Sequence, residues 1–337
     1  MAQNVPAPRR TGHGQSWASR LLENRHLGWV GLAVGLLAPF VIATPYALNI
    51  MTTATIAVML AVGLNIVVGY CGLLDLGYAA FFAVGAYTSG VISTSFDIPL
   101  LWTIPAVIVT TVIAGIVIGG PTLRLRSDYL AIVTLGFGEI IRITANNLEI
   151  TGGPSGIFGI PDLTLFGIDL GEPVVFYYVA VIVVALAVLG SARLGRSRLG
   201  RAWRFIREDE DAAEAMGIHT YKVKLAAYIA GAIWGGLAGV LFAAHLSAVS
   251  PQSFTFLQSA LVLMAVVLGG MGNTSGVVVG AVIISLLPEL LRGAADYRYF
   301  IFGVLLIVVM IFRPQGLWPA RAHEPERRAE PSVEVST

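Results

Sequence analysis

Apolar segments of nearly membrane-spanning length recur along the whole chain. A helix crosses a bilayer with about 20 residues. The sequence has 56% hydrophobic and only 12% charged residues, whereas a soluble domain carries roughly twice that charged fraction. It therefore predicts an all-α, polytopic bundle of about ten spanning helices over 28–313, with a basic tail at 1–27 and a polar tail at 314–337. The segments fall at about 28–44, 47–68, 76–95, 100–121, 129–148, 174–192, 223–245, 255–270, 275–291 and 299–313.

The basic residues indicate an orientation for these spans. Arginines and both lysines cluster before the first span, after the fourth, between the sixth and seventh, and after the last. By the positive-inside rule, these loops and both termini are expected in the cytoplasm, with Arg292 and Arg298 as exceptions. The net charge of +1 gives no basic field for nucleic acid.

Motifs for catalysis or nucleotide binding are missing from the sequence. There is no GxxxxGK[ST] phosphate loop, no HExxH and no GxSxG, and the five histidines lack metal-ligand spacing. We therefore predict no catalytic residue, no metal and no cofactor bound by this chain. A transporter or channel is favoured over an enzyme within the membrane.

Polar residues interrupt several of the apolar segments. Glu139 and Arg142 are three residues apart in the fifth segment, so they share a helix face and can pair, and Asn146 extends that face. Each charge alone would cost about 2.5–3.5 kcal/mol at the centre of a spanning helix. Two interpretations stay open: the polar lining of a translocation path, or an internal salt bridge. Asn65 and Asp75 are similar candidates nearer to helix ends.

Two glycine-rich stretches break the apolar pattern at comparable places in the two halves of the chain. They are GYCGLLDLG (69–77) and GGMGNTSG (269–276), and the second contains Gly270 and Gly272. Irregular backbone at membrane depth is tolerated where it lines a cavity or is buried, so both stretches are candidates for the path. The alternative is two ordinary turns between helices.

The segment between the sixth and seventh spans is densely charged. Arg201 to Glu214 contains five acids and three arginines, and Glu208 is the first of four consecutive acids. Helix formers dominate 200–216, and Gly217 is suited to a left-handed helix end. Trp203 and Ile206 share a face that we expect at the bilayer interface. Since anionic lipid would repel the acids, the segment favours docking to another protein.

This segment contains a recognisable motif. Asp211-Ala212-Ala213-x-x-x-Gly217 resembles the EAA-x-x-x-G signature of ABC-importer permeases, with Asp211 in place of the usual Glu. The resemblance implies a cytoplasmic coupling helix near 200–217 that docks on an ATPase, with Glu208, Asp211, Ala212, Ala213 and Gly217 as its candidate contacts.

Residues 50–318 as a whole resemble the LivM branch of the branched-chain amino acid permeases. One departure is Asp75, where the family pattern has Ser. The matching stretches are GYCGLLDLGYAAFFAVGAYTSG, LRLRSDYLAIVTLGFGEIIRIT, TGGPSGIFGIP, GRAWRFIREDEDAAEAMGI, SPQSFTFLQS, VVLGGMGNTSGVVVGA and FRPQGLWP.

The resemblance implies one subunit of a larger importer. The expected partners are a second homologous permease, two ATPase subunits that bind ATP and magnesium, and a periplasmic substrate-binding protein, assembled in a bacterial inner membrane. The expected substrates are leucine, isoleucine and valine. Related permeases that carry urea, short amides or other amino acids are the alternative, and a self-sufficient secondary transporter is the second.

Overall fold

A computed structural model describes residues 44–125, 127–165, 168–312 and 316–318. Within these ranges most of the chain is helical. The predicted tail 1–27, the first apolar segment up to residue 43, and the tail 314–337 except for 316–318 lie outside them. The α-helices are α1 (Pro45–Leu64), α2 (Ala79–Phe96), α3 (Ile104–Thr122), α4 (Ser127–Asn147), α5 (Pro173–Arg196), α6 (Arg198–Glu208), α7 (Glu210–Ala215), α8 (Thr220–Leu246), α9 (Phe256–Gly269), α10 (Thr274–Leu290) and α11 (Arg298–Phe312).

Each apolar segment predicted beyond residue 44 coincides with a helix, which confirms a helical membrane protein. Among the described residues, five helical stretches are long and apolar enough to cross a bilayer, and α9 and α10 are shorter apolar helices. Helix α4 has spanning length but contains Glu139 and Arg142. The five are Pro45–Tyr70, Ala79–Phe96, Leu100–Thr122, Pro173–Arg196 and Thr220–Leu246.

Helix α8 is the central element of the bundle and packs against α1, α2 and α3. Small residues allow this packing: a Cβ on Gly85 of α2 would overlap the backbone of Gly236 in α8. Such close backbone approach is how helices associate where no hydrophobic effect drives them together. Edge-to-face aromatic contacts, such as Phe81 with Tyr228, fill the space beside it.

Helix α1 continues into a single π-helical turn, Asn65–Tyr70, and all six residues of this turn are buried. Single π turns are frequent at functional sites. The chain then runs through Cys71–Tyr78 without regular helix and enters α2.

Short strands are the departure from the all-α prediction. Strand β1 (Ile157–Phe158) pairs antiparallel with β4 (Ala248–Val249), and β2 (Thr164–Leu165) pairs with β3 (Ile168–Asp169). Helix α7 precedes the first residue of α8 and β4 follows its last. Since α8 has 27 residues, it separates these two ends of the bundle by about 40 Å.

3₁₀ turns join several of these elements. They are Leu100–Thr103, Glu149–Thr151, Pro251–Phe254 and Arg292–Tyr297.

Candidate functional site

The charged segment forms two helices, α6 and α7, where the sequence predicted one helix over 200–216. The chain breaks at Asp209, whose backbone is extended (φ −157°, ψ 111°). The Asp209 carboxylate accepts a hydrogen bond from the backbone N–H of Ala212 at 2.9 Å, so this residue caps the N-terminus of α7. The single-helix prediction is wrong because an aspartate offers this alternative partner to the backbone.

Gly217 ends α7 in the left-handed conformation that the sequence predicted, with φ +82°. The Gly217 N–H donates to the Glu214 carbonyl at 2.9 Å, and the Ile218 N–H donates to the Ala213 carbonyl at 3.1 Å. These two bonds define a Schellman motif, which satisfies the last carbonyls of a helix. The helix end is therefore fixed in one geometry.

The motif residues of α7 divide between an inner and an outer face. Ala213 is fully buried, Ala212 is half-buried, and Asp211 is exposed, as is Glu208 at the end of α6. Within the described part of the chain, neither carboxylate forms an ion pair. Asp211 on the outer face of α7 and Glu208 at the end of α6 thus present carboxylates that no cation in the described part of the chain pairs with.

Trp203 and Ile206 face the protein, so their predicted place at the bilayer interface is wrong. Trp203 is fully buried and Ile206 is 5% exposed. The Trp203 indole N–H donates to the carbonyl of Val223 in α8 at 2.8 Å. An apolar stripe on a short helix cannot by itself distinguish lipid from a neighbouring helix, which explains the error.

Two side-chain contacts hold α7 to the start of α8. The Lys224 ammonium pairs with the Glu210 carboxylate, and the Thr220 hydroxyl donates to Glu214 at 2.6 Å. The Lys224 side chain is 6% exposed, whereas that of Glu210 is 46% exposed. Cys71, which directly follows the π turn, is buried close to this ion pair, and its burial raises the pKa of the thiol to about 12. Side chains of both helices therefore attach α7 to α8.

A third contact joins this segment to the π turn. The Arg207 guanidinium donates to the carbonyl of Gly69, near the end of the turn. A Cβ on Gly72 would lie 2.8 Å from Arg207 Cγ, so the arginine stem packs tightly on the chain beyond the turn. Reasoning from sequence missed this role of Arg207, since arginines are common throughout 193–207 and only the fold distinguishes one of them.

The two glycine-rich stretches meet at the π turn. The Asn65 side-chain oxygen accepts from the Gly272 N–H at 2.9 Å, and a Cβ on Gly69 would lie 2.6 Å from Gly272 N. The hydroxyls of Tyr70 and Thr274 are 2.7 Å apart. Three of the candidate path regions, at Asn65, at 69–77 and at 269–276, are thus contiguous.

The stretch 269–276 contains a tight turn between α9 and α10. The stretch 69–77 is longer and is not a tight turn. Gly270 and Gly272 have positive φ angles of 110° and 87°. Residues 316–318 cover the turn: Leu317 N–H donates to Leu268 O at 2.8 Å and the Asn273 amide donates to Trp318 O at 3.0 Å.

Asp75 lies in the longer connection between the π turn and α2. It is fully buried, and its Oδ1 accepts from Gly77 N–H at 2.8 Å. Backbone N–H groups close to Asp75 donate to side chains of other helices: Leu76 of this connection to Thr134 of α4 at 3.1 Å, and Ala79, the first residue of α2, to Ser259 of α9 at 2.9 Å. This stretch is therefore an irregular segment buried between helices.

Glu139 and Arg142 form the predicted pair on α4, with Arg142 Nε 2.9 Å from Glu139 Oε1. The side chains are 39% and 27% exposed, and Ile140 and Ile143 beside them are 55% and 47% exposed. Within the described chain, no hydrogen bond or ion pair connects this pair to the junction of Asn65 and Gly272.

Asn146 lies near the end of α4, one helical turn beyond Arg142. It lines a groove of about 500 Å³ together with the loop that follows the helix. The other lining residues are Asn147, Leu148, Glu149, Gly152, Gly153 and Pro154.

Comparison with known proteins decides the family. The family described as "Branched-chain amino acid transport system / permease component" matches residues 46–310. The chain belongs to this family. Its members are transport permeases, and the chain is a multi-pass membrane protein of that kind. No solved structure matches the chain.

Individual relatives agree with this assignment. The high-affinity branched-chain amino acid transport system permease protein LivM of Salmonella typhimurium is 43% identical over 312 residues, which cover 86% of this chain and 73% of the relative. LivM of Escherichia coli is 42% identical over 305 residues, covering 83% and 72%. The high-affinity branched-chain amino acid transport system permease protein LivH of Escherichia coli is 29% identical over 118 residues, which cover 34% of this chain and 38% of the relative.

Proposed function

We propose that the chain is a permease subunit of an ABC importer and forms half of a translocation path for leucine, isoleucine and valine. In this proposal it lies in a bacterial inner membrane with about ten spans, and both termini are cytoplasmic. Its partners are a LivH-like permease, two ATPase subunits and a periplasmic binding protein. The family match over residues 46–310 and the identity to LivM proteins support this assignment.

The observation in the structure that carries the proposal is the geometry of α7. A short helix with a fixed end, a buried inner face at Ala213 and an unpaired acid at Asp211 has the features of a docking element. Beside it lies a groove of about 360 Å³, lined by Glu214, Gly217, Ile218, His219, Thr220, Tyr221 and Lys222. We infer that the ATPase contacts this surface and that ATP-driven closure moves α7.

Helix α4 supplies the candidate lining of the path. An ion pair that is partly exposed on a helix of spanning length is costly against lipid, since each charge costs about 2.5–3.5 kcal/mol there. We infer that Glu139, Arg142 and Asn146 face the path or the second permease. The groove beside Asn146, at the end of α4, is then the entrance on the periplasmic side.

Reconstitution tests the proposal. The complex is purified with its associated subunits, placed in vesicles with the cognate binding protein, and assayed for ATP-driven uptake of radiolabelled leucine, isoleucine, valine, urea, a short amide and other amino acids. We expect uptake of the three branched-chain amino acids, and loss of that uptake on Asp211→Lys with the chain still inserted. Uptake that persists without any ATPase subunit would support a secondary transporter.

A further inference from the structure

Arg207 connects the candidate docking segment with the junction of the two glycine-rich stretches. Its guanidinium, on α6, reaches the Gly69 carbonyl near the C-terminal end of the helix formed by α1 and the π turn. The last carbonyls of a helix lack intrahelical partners and carry a partial negative charge. A cation there satisfies both the hydrogen bond and the charge, so the contact holds α6 to this helix end.

The contact is tight as well as polar. The stem of Arg207 lies against Gly72, where a Cβ would approach Arg207 Cγ to 2.8 Å. Gly72 has φ +76°, so the chain there adopts a conformation that other residues rarely take. A movement of α6 therefore displaces the end of the π turn.

The π turn in turn contacts the α9–α10 turn, through Asn65 to Gly272 and through Tyr70 to Thr274. The Asn65 Nδ2 group is buried, and none of the described residues accepts a hydrogen bond from it. A buried donor without an acceptor destabilises the arrangement that contains it. Within the described chain, only one end of the Asn65 side-chain amide forms a hydrogen bond in this conformation. Such a residue is suited to a junction that switches between two conformations, because its hydrogen-bond partners can change between them.

We propose that Arg207 is a positioning residue for transport: it transmits the movement of α6 and α7 to the π turn, and through Asn65 to the α9–α10 turn. This inference rests on the proposed function as an ABC permease, because it assigns the moving force to an ATPase docked at α7. It predicts that loss of the Arg207 contact uncouples ATP hydrolysis from transport without detaching the ATPase.

Arg204 provides the matched control, because it lies one turn earlier on the same helix. Its guanidinium donates to the Gly195 carbonyl at the end of α5 at 2.6 Å and to the Gly200 carbonyl in the first turn of α6 at 3.3 Å. An Arg204→Gln variant removes the same charge from α6 and leaves the contact with the π turn intact.

The test uses the complete importer in vesicles with radiolabelled leucine. We measure the amount of ATPase subunit retained, the rate of ATP hydrolysis, and the leucine taken up per ATP hydrolysed. For Arg207→Gln we expect retained ATPase and hydrolysis, with uptake per ATP lowered about tenfold, within the usual range for coupling between sites. Arg207→Lys, which keeps one donor, is expected to recover part of the ratio, and Arg204→Gln to leave it unchanged.

Several outcomes overturn the inference. An unchanged uptake per ATP in Arg207→Gln excludes a coupling role, and a proportional loss of ATPase subunits, hydrolysis and uptake shows that the arginine is only structural. If the Gln variant does not fold, an unchanged ratio in Arg207→Ala, or a Lys variant no different from Ala, excludes it as well.

Failure of the proposed function gives a different result. In that case the wild-type vesicles themselves show no ATP-driven uptake of leucine. If the wild type and Arg207→Gln both take up the same amount of leucine per ATP hydrolysed, the role of Arg207 is contradicted and the proposed function stands.

Discussion

Helices α7 and α4 both expose charged groups that the rest of the described chain leaves uncovered, but they hold these charges differently. On α7 the Asp211 carboxylate is exposed and has no ion-pair partner among the described residues. On α4 the exposed charges form a pair within one helix turn. A carboxylate in water needs no partner, whereas a charge at bilayer depth does. This difference is what we expect if α7 docks on another protein in water and α4 lies at bilayer depth, as proposed above.

Breaking the contact between α7 and α8 at Glu210 and Lys224 should lower the stability of the chain more than any other change proposed below. Glu210→Gln leaves the buried Lys224 ammonium without a counter-charge. Because Glu210 is half-exposed, we expect a loss of about 3 kcal/mol, the lower end of the range for breaking a buried pair. Lys224→Met leaves Glu210 half-exposed to water, so its cost should stay below about 1 kcal/mol. Thermal unfolding of the purified complex in detergent measures both. Equal losses for the two variants would contradict the asymmetric burial.

Substitution of Gly217 at the end of α7 should give the next largest loss, measured as ATP-driven uptake. Gly217→Val places a β-branched residue at a left-handed position, which costs roughly 1–2 kcal/mol. If the ATPase must dock on this helix end, we expect ATP-driven uptake to fall roughly 5–30-fold, the equilibrium factor for that free energy. Gly217→Asn serves as the control, because asparagine tolerates this conformation. Apart from the adjoining residues, no atom of the described chain lies within 4 Å of a Cβ there, so the cost comes from the backbone conformation and not from overlap of the Cβ. Equal uptake in the Val and Asn variants would show that the helix end is not used.

Breaking the ion pair between Glu139 and Arg142 on α4 should cost less stability than breaking that between Glu210 and Lys224. Arg142→Gln leaves Glu139 unpaired and should cost roughly 1.5 kcal/mol, within the range for coupled residues. The double variant Glu139→Gln with Arg142→Gln should be better tolerated than either single one. Unfolding midpoints and leucine uptake are compared over this cycle. Purely additive effects would mean that the two charges act independently.

The cap at Asp209 should give the smallest effect. Asp209→Ala removes the acceptor for the Ala212 N–H and should cost about 1 kcal/mol. Asp209→Asn keeps an acceptor and should be nearly neutral. Hydrogen exchange at the Ala212 amide checks this, because an unprotected amide in the wild type would show that the cap is absent in solution.

The sequence predicted the helices and the end of α7 because both depend on local patterns. Apolar runs give the helices, and a glycine after an alanine-rich turn gives the left-handed end at Gly217. The pairing of Glu139 and Arg142 was predictable for the same reason, since three residues separate them on one helix.

The remainder depended on contacts between residues far apart in the sequence. Trp203 was placed at the bilayer because an apolar side chain alone does not show what covers it. Asp209 broke a helix that residue propensities favoured. The role of Arg207 could not be found because its partner, Gly69, lies 138 residues earlier in the chain.

The bond between Asn65 and Gly272 joins residues 207 positions apart. The N-terminal part of the chain is synthesised first. Asn65 in the π turn therefore lacks its partner until the α9–α10 turn has been synthesised. The α9–α10 turn in turn lacks its cover until residues 316–318 are made. The junction is therefore among the last features of the chain to assemble, and a chain that stops early cannot complete it.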